Sequence, residues 1–153
     1  MRKSLTYSSS KYNFSVDYPV DWDVREDLDG IVVVFAGPSV LEGIYDVNIN
    51  VTAERLRKKM TLKDYVMEAD LKAVKTIPDY KKEQADLTTI GGQPAIVLVA
   101  TLAVKSKGEK VSLKNKYAIF IKDKVAYIIT YDTPVECHDE YADCFDLVIG
   151  SFK

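Results

Sequence analysis

The sequence predicts an α+β fold, an antiparallel β-sheet covered by two amphipathic helices in an α/β/α-type sandwich. Three observations carry it. Many short segments alternate apolar and polar residues with the period of a half-buried strand. The joints between them are short and hold Gly, Asp or Lys, which makes hairpins and therefore antiparallel pairs. Two longer stretches place apolar residues three and four apart, the mark of a helix with one buried stripe. The chain has 153 residues, a length that suits one domain and buries ~68–70% of its unfolded surface without a disulfide or metal.

The elements follow in order. Residues 1–11 are polar and Ser-rich and read as a flexible N-terminal segment before a single domain over 12–153. Tyr12, Phe14, Val16 and Tyr18 alternate with polar neighbours as a strand, which Pro19 ends for want of an N–H. Trp22, the single tryptophan, opens a second short strand. Residues 30–37 are a continuous apolar run rich in Val and read as a central strand, broken by Gly37-Pro38 and followed by a loop. Over 45–52, Tyr45, Val47, Ile49 and Val51 point to a core; Asp46, Asn48, Asn50 and Thr52 point to water or to polar contacts. Residues 61–77 form the first helix, with Thr61 and Asp64 as a variant capping box and Pro78 as the stop. Its inner stripe is Leu62, Tyr65, Val66, Ala69, Ala73, Val74 and Ile77. Gly91-Gly92 turns one strand into the next as a hairpin, and residues 105–110 are a charged tip leading to a third strand. The last strand, 125–131, precedes a second helix over 136–152 with Cys137, Tyr141, Cys144, Phe145, Val148 and Phe152 on one stripe.

Four segments in this order resemble the PsbP-like family. They are Tyr18-Pro19 with Trp22; Val34-Phe35 with Gly37-Pro38; Thr61-Leu62 with Tyr65; and Ile90-Gly91-Gly92 with Pro94-Ala95. The resemblance covers about Tyr12 to Phe152. It implies the fold shared by the extrinsic photosystem II subunit, its prokaryotic lipoprotein relatives and a nuclear Ran-binding factor. That group is non-enzymatic where it is understood and works by binding or assembly. The proposed metal-binding residues of the photosynthetic members find no counterpart here, and neither does their long N-terminal extension.

Composition narrows the function. Lys+Arg number 21 and Asp+Glu 23, for a net charge of −2, which argues against a general nucleic-acid binder. No apolar run reaches the ~18–20 residues of a membrane helix. The first ten residues hold Arg2 and Lys3 but no apolar core, so they are not an intact signal peptide. A native start at Met1 implies a cytoplasmic chain. A start downstream of a removed signal or lipid anchor implies an extracytoplasmic one associated with a membrane.

Chemistry-bearing motifs are sparse. There is no phosphate-binding glycine loop. His138, the single histidine, sits beside Cys137, Asp139 and Glu140, but consecutive helical residues diverge and cannot converge on a metal. Asp17, Asp21, Asp23, Glu26, Asp27 and Asp29 read as a solvated acidic rim whose spacing fits no EF-hand. Lys105, Lys107, Lys110, Lys114 and Lys116 form a basic hairpin that is the candidate partner-binding site; lysines also protect exposed strand edges. Tyr45, Tyr80, Tyr117 and Tyr131 lie near strand ends, where a cluster would suit a protein contact. The expectation is a monomeric, cofactor-free, non-catalytic module that binds a protein partner or assists assembly, or alternatively an intracellular regulator of the same fold.

Overall fold

In the computed structural model, which describes residues 3–153, two antiparallel sheets and two α-helices build the α+β fold. Strands β1 (Ser4–Ser9) and β2 (Phe14–Pro19) pair as a two-stranded sheet. The main sheet holds β3 (Asp23–Leu28), β4 (Ile31–Val40), β5 (Tyr45–Arg55), β6 (Lys81–Ile90), β7 (Gln93–Ser106), β8 (Glu109–Lys122) and β9 (Val125–Asp132), in the order β3-β4-β5-β9-β8-β7-β6. Helix α1 (Leu62–Thr76) lies on one face. Helix α2 (Ala142–Ser151) and the β1–β2 hairpin cover the other.

The main core lies between that second layer and the sheet. Phe14 and Val16 of β2, Phe35 of β4, Val47, Ile49 and Val51 of β5, Phe120 of β8 and Tyr127, Ile129 and Tyr131 of β9 meet Phe145, Val148 and Phe152 there. Four rings lock it. Phe14 stacks on Phe152 at 5.3 Å and Phe120 on Tyr127 at 5.2 Å, while Phe120 meets Phe152 edge-on at 4.8 Å. Such geometries add ~0.5–1.5 kcal/mol per pair beyond area burial. The chain ends close on each other through Ser15 N–H to Lys153 C=O, 3.2 Å, and Lys153 N–H to Ser15 C=O, 3.0 Å.

Several elements depart from the sequence reading. Residues 4–9, expected within a flexible segment, form β1, because Leu5 and Tyr7 alternate with polar residues against β2 and Tyr7 packs edge-on against Phe35 at 5.9 Å; Met1 and Arg2 lie outside the described residues. Trp22 precedes β3 rather than opening it. β4 runs past Gly37-Pro38 by absorbing them in a register shift between Ala36 and Ser39. The second helix is broken: Val135–Cys137 is a 3-10 turn and α2 begins at Ala142. Here the His138 carbonyl accepts from the Tyr131 hydroxyl at 2.7 Å, and the His138 ring is tied to the Lys114 carbonyl at 2.9 Å, so the segment follows the sheet rather than a helical ladder. In α1 the Thr61 cap is as expected, accepting from the Asp64 N–H at 3.1 Å. Val74, however, is exposed, and Val66 is the helix's one buried residue.

Two signature segments lock together directly. A Cβ on Gly37 would stand 2.7 Å from the Trp22 ring, and one on Gly91, at φ +57°, would stand 2.9 Å from the Phe152 ring. Both neighbours are buried aromatic rings that cannot yield cheaply. Gly37→Ala and Gly91→Ala should each cost ~1–3 kcal/mol in urea unfolding, the usual penalty of overpacking. Gly150→Ala, in α2 with open space around it, should instead gain up to ~1 kcal/mol from helix propensity. Equal effects at all three positions would refute the packing account.

Candidate functional site

The basic hairpin is the arm of β7 and β8 that projects beyond the main core. Lys105 and Lys110 stand directly opposite each other in the ladder, Lys114 is opposite Thr101, and Lys116 lies between Val99 and Tyr131. Alternation puts Lys110, Lys114 and Lys116 on one face with Lys105. It is the face that carries Ala118 and Phe120 into the core farther along β8. No acidic residue is opposite any of the four in the ladder. Like charges directly opposed cost stability rather than supply it. The structure tethers two members of the set: Lys110 pairs with Asp79 at 3.1 Å, and the Lys107 ammonium donates to the Gly43 carbonyl. Lys107 sits in the turn and does not share the face. Lys105 is exposed, and Lys114 and Lys116 are half-buried.

The other candidates disperse. His138 is buried, and its ring packs 5.5 Å from Tyr131. Burial, with Lys114 and Lys116 nearby, holds its pKa below the ordinary value, which keeps it neutral. Cys137 is half-buried and Cys144 buried, and burial pushes the Cys137 thiol up, away from reactivity. In the acidic rim, Asp17 accepts from the Thr6 hydroxyl at 2.7 Å. Among the described residues, no three His, Cys, Asp or Glu side chains converge as a metal site requires. No helix there is long and apolar enough to cross a membrane.

On the α1 face the structure assembles a polar group that the sequence reading did not single out. The Asp132 carboxylate, at the end of β9, accepts from Asn50 Nδ2 at 3.0 Å and from Asn115 Nδ2. Asn50 Nδ2 also reaches Asn48 Oδ1 at 3.1 Å, and Asn115 Nδ2 reaches the Tyr117 hydroxyl at 3.1 Å. Strand alternation on β5 showed Asn48 and Asn50 on a polar face; nothing in the sequence indicated that β9 would bring Asp132 across to them. Burial raises the Tyr117 hydroxyl to about 12 and lifts Tyr45 well above its usual range, with Asp132 adding to both. Of the four tyrosines expected near strand ends, Tyr117 lies within electrostatic reach of both Tyr45 and Tyr80. Tyr131 instead is fully buried in the main core.

Beside this group, α1 stands off the sheet over a crevice of about 220 Å³ lined by Ala69, Ala73, Leu98, Tyr117, Ile119 and Thr130, among others. Where the helix crosses the crevice its inward side chains are Ala69 and Ala73, too small to fill the gap. At its edge Asp70 ties the helix down, accepting from the Tyr80 hydroxyl and from Lys82 Nζ, each at 3.1 Å.

The sheet order, with α2 and a hairpin on one face and α1 on the other, is the PsbP-like fold. Solved structures similar to it align over nearly the whole chain. Cyanobacterial PsbP (CyanoP) from Synechocystis sp. PCC 6803 aligns with a TM-score of 0.68 and 17% identity over 100% of this chain and 93% of its own. LpqN of Mycobacterium tuberculosis, involved in cell envelope biogenesis, gives 0.69 and 12% over 99% and 90%. The Ran-binding protein Mog1p of Saccharomyces cerevisiae gives 0.65 and 12% over 100% and 96%. Identities this low establish the fold alone. No family profile and no curated protein sequence matches the chain.

Asp132 yields a pH prediction. Burial raises its carboxyl to about 6, against the opposing pull of the Asn115 and Asn50 hydrogen bonds. The folded chain therefore holds this proton more tightly than the unfolded one, whose carboxyl titrates near pH ~4. The group's contribution to stability is full below that value and is lost as pH rises through about 6. Asp132→Asn removes the titration. Unfolding free energy of the wild type minus that of the variant, measured in urea, should fall by about 2–3 kcal/mol between pH ~4 and ~7. A difference that stays flat across this range would contradict the raised value.

Proposed function

We propose that the chain is a non-catalytic binding or assembly module that docks a protein partner on the lysine face of the β7–β8 arm. The observation that carries this reading is the direct opposition of Lys105 and Lys110, with Lys114 and Lys116 on the same face and no acidic residue opposite them in the ladder. Folding alone does not account for that arrangement, since it works against the sheet. An acidic protein surface would relieve it and would be steered to it from a distance. The fold's occurrence in a Ran-binding protein supports a protein partner here. The partner of this reading is acidic at the contact, and the module needs no cofactor.

Two settings fit the same module. Tethered outside the cytoplasm, it assists assembly at the envelope; in the cytoplasm, it regulates a partner protein. Fractionating native cells and reading the mature N-terminus by mass spectrometry separates them. A processed or lipidated form in the membrane fraction selects the first, and a soluble form starting at Met1 selects the second.

Docking is tested by crosslinking and affinity capture from native extract. Lys105→Glu, Lys114→Glu and Lys116→Glu together should abolish capture of the wild type's partner while circular dichroism stays unchanged. Capture by the wild type should weaken as salt is raised, since the Debye length shortens from about 8 Å at physiological ionic strength to about 3 Å at 1 M. Unaltered capture by a folded triple variant would remove the lysine face from the proposal.

A further inference from the structure

The outer side of α1 carries apolar residues that the fold leaves uncovered. Met67, Leu71 and Val74 are 54%, 62% and 62% exposed. They recur at four and three residues, so they form one ridge along the helix. The ridge is distinct from the inward row of Val66, Ala69, Ala73 and Ile77 that faces the sheet and crevice. Scattered exposed apolar residues are ordinary, but an aligned row on one helix marks a contact.

The charge around the ridge is opposite in sign to that of the chain. Over 57–75, Arg57, Lys58, Lys59, Lys63, Lys72 and Lys75 face Asp64, Glu68 and Asp70, an excess of three positive charges in a chain of net −2. All six cations are exposed. Two ion pairs join described residues, Lys82–Asp70 and Lys110–Asp79, and none of these six takes part. Asp70 is thus already neutralised by Lys82 outside the stretch, which leaves the surface more positive still.

We propose that this helix face docks on an anionic phospholipid bilayer, with Met67, Leu71 and Val74 entering the interface and the surrounding lysines and Arg57 meeting the headgroups. An apolar helix face fringed with cations lies in the plane of a membrane surface and gains from both terms. A convex ridge of three side chains suits a planar, deformable surface. It is too narrow to supply the ~800 Å² per partner of a stable protein interface, which counts against a second copy of the chain as the occupant. This inference does not depend on the lysine face of the β7–β8 arm.

Sedimentation with vesicles tests it. The probe is full-length protein mixed with vesicles of phosphatidylcholine alone or with about one-third phosphatidylglycerol, at low salt and at about 0.5 M salt. Expected is at least ~5-fold more protein pelleted with the anionic vesicles at low salt, most of it released by added salt. Met67→Ser, Leu71→Ser and Val74→Ser together should remove binding, as should Lys58→Glu, Lys59→Glu and Lys63→Glu. All six positions are exposed, so both variants should keep the wild-type circular dichroism; if either does not, nitroxide spin labels on Leu71→Cys and Leu87→Cys, each in a chain with Cys137→Ala and Cys144→Ala, decide by depth, with only the first entering the bilayer. Lys105→Glu with Lys114→Glu should bind as the wild type does. Equal sedimentation with and without phosphatidylglycerol would overturn the proposal. So would a dimer in light scattering that the serine variant returns to monomer, which would assign the ridge to a second copy.

Discussion

The stacking of Phe14 on Phe152 against the Phe120–Tyr127 pair is the contact on which the remaining architecture depends. It joins β2, the residue after α2, β8 and β9, so it unites the two ends of the chain with the middle of the sheet. Neither the β1–β2 hairpin nor α2 has a sheet of any size to bind on its own, and a two-stranded hairpin is marginal in water. Burying these rings stabilises both at once. The turn at Gly91 is fitted to the same cluster, since the Phe152 ring occupies the space where a side chain would project. The backbone pair between Ser15 and Lys153 then closes the layer as a continuation of strand pairing.

The opposite face is held more lightly. Helix α1 buries Val66 and otherwise rests on partly exposed contacts, and its Asp70 hydrogen bonds do part of the anchoring. Polar groups replace packing in the sheet beneath: Asp132 with Asn50 and Asn115 forms a connected set in which the carboxylate accepts and the amides donate. Such a set fixes register between β5, β9 and β8, because a one-residue slip would turn each member to the other face. The cost is the desolvated carboxylate itself.

Much of this was legible in the residues. Alternation along β5 gave the correct face for Val47, Ile49 and Val51, because a period of two survives any tertiary detail. Thr61 marked the start of α1, and the Gly91-Gly92 turn marked a hairpin, because both rest on local backbone chemistry. Where the reading failed, a distant partner decided the outcome. Residues 4–9 looked like a tail until β2 offered them a ladder. Residues 136–141 had helical spacing, but the hydrogen bonds of Tyr131 and His138 to distant backbone carbonyls drew them to the sheet. Val74 fitted the inner stripe by spacing and fell outside it, since the helix is rotated to set alanines over the crevice. The lysines were visible as a charged hairpin, but that four share a face follows only from the register. Asp132 carried no sequence signal at all; its role arises from strand order.

The two proposed surfaces are disposed so that one does not obstruct the other. Lys105, Lys114 and Lys116 lie on the sheet face shared with the main core, and the Met67–Leu71–Val74 ridge belongs to the helix that covers the reverse face. A chain resting on a bilayer through α1 would hold its lysine face away from the membrane, open to a partner approaching from the aqueous side. Both surfaces also share a physical character: each sets residues where the fold gains nothing from them, like charges opposed in a ladder in one case and large apolar side chains facing water in the other. The aromatic layer is what makes such placements tolerable. It supplies enough packing at the centre for the periphery to carry arrangements that cost stability, and that division is why stability and binding can be altered separately by substitution in this molecule.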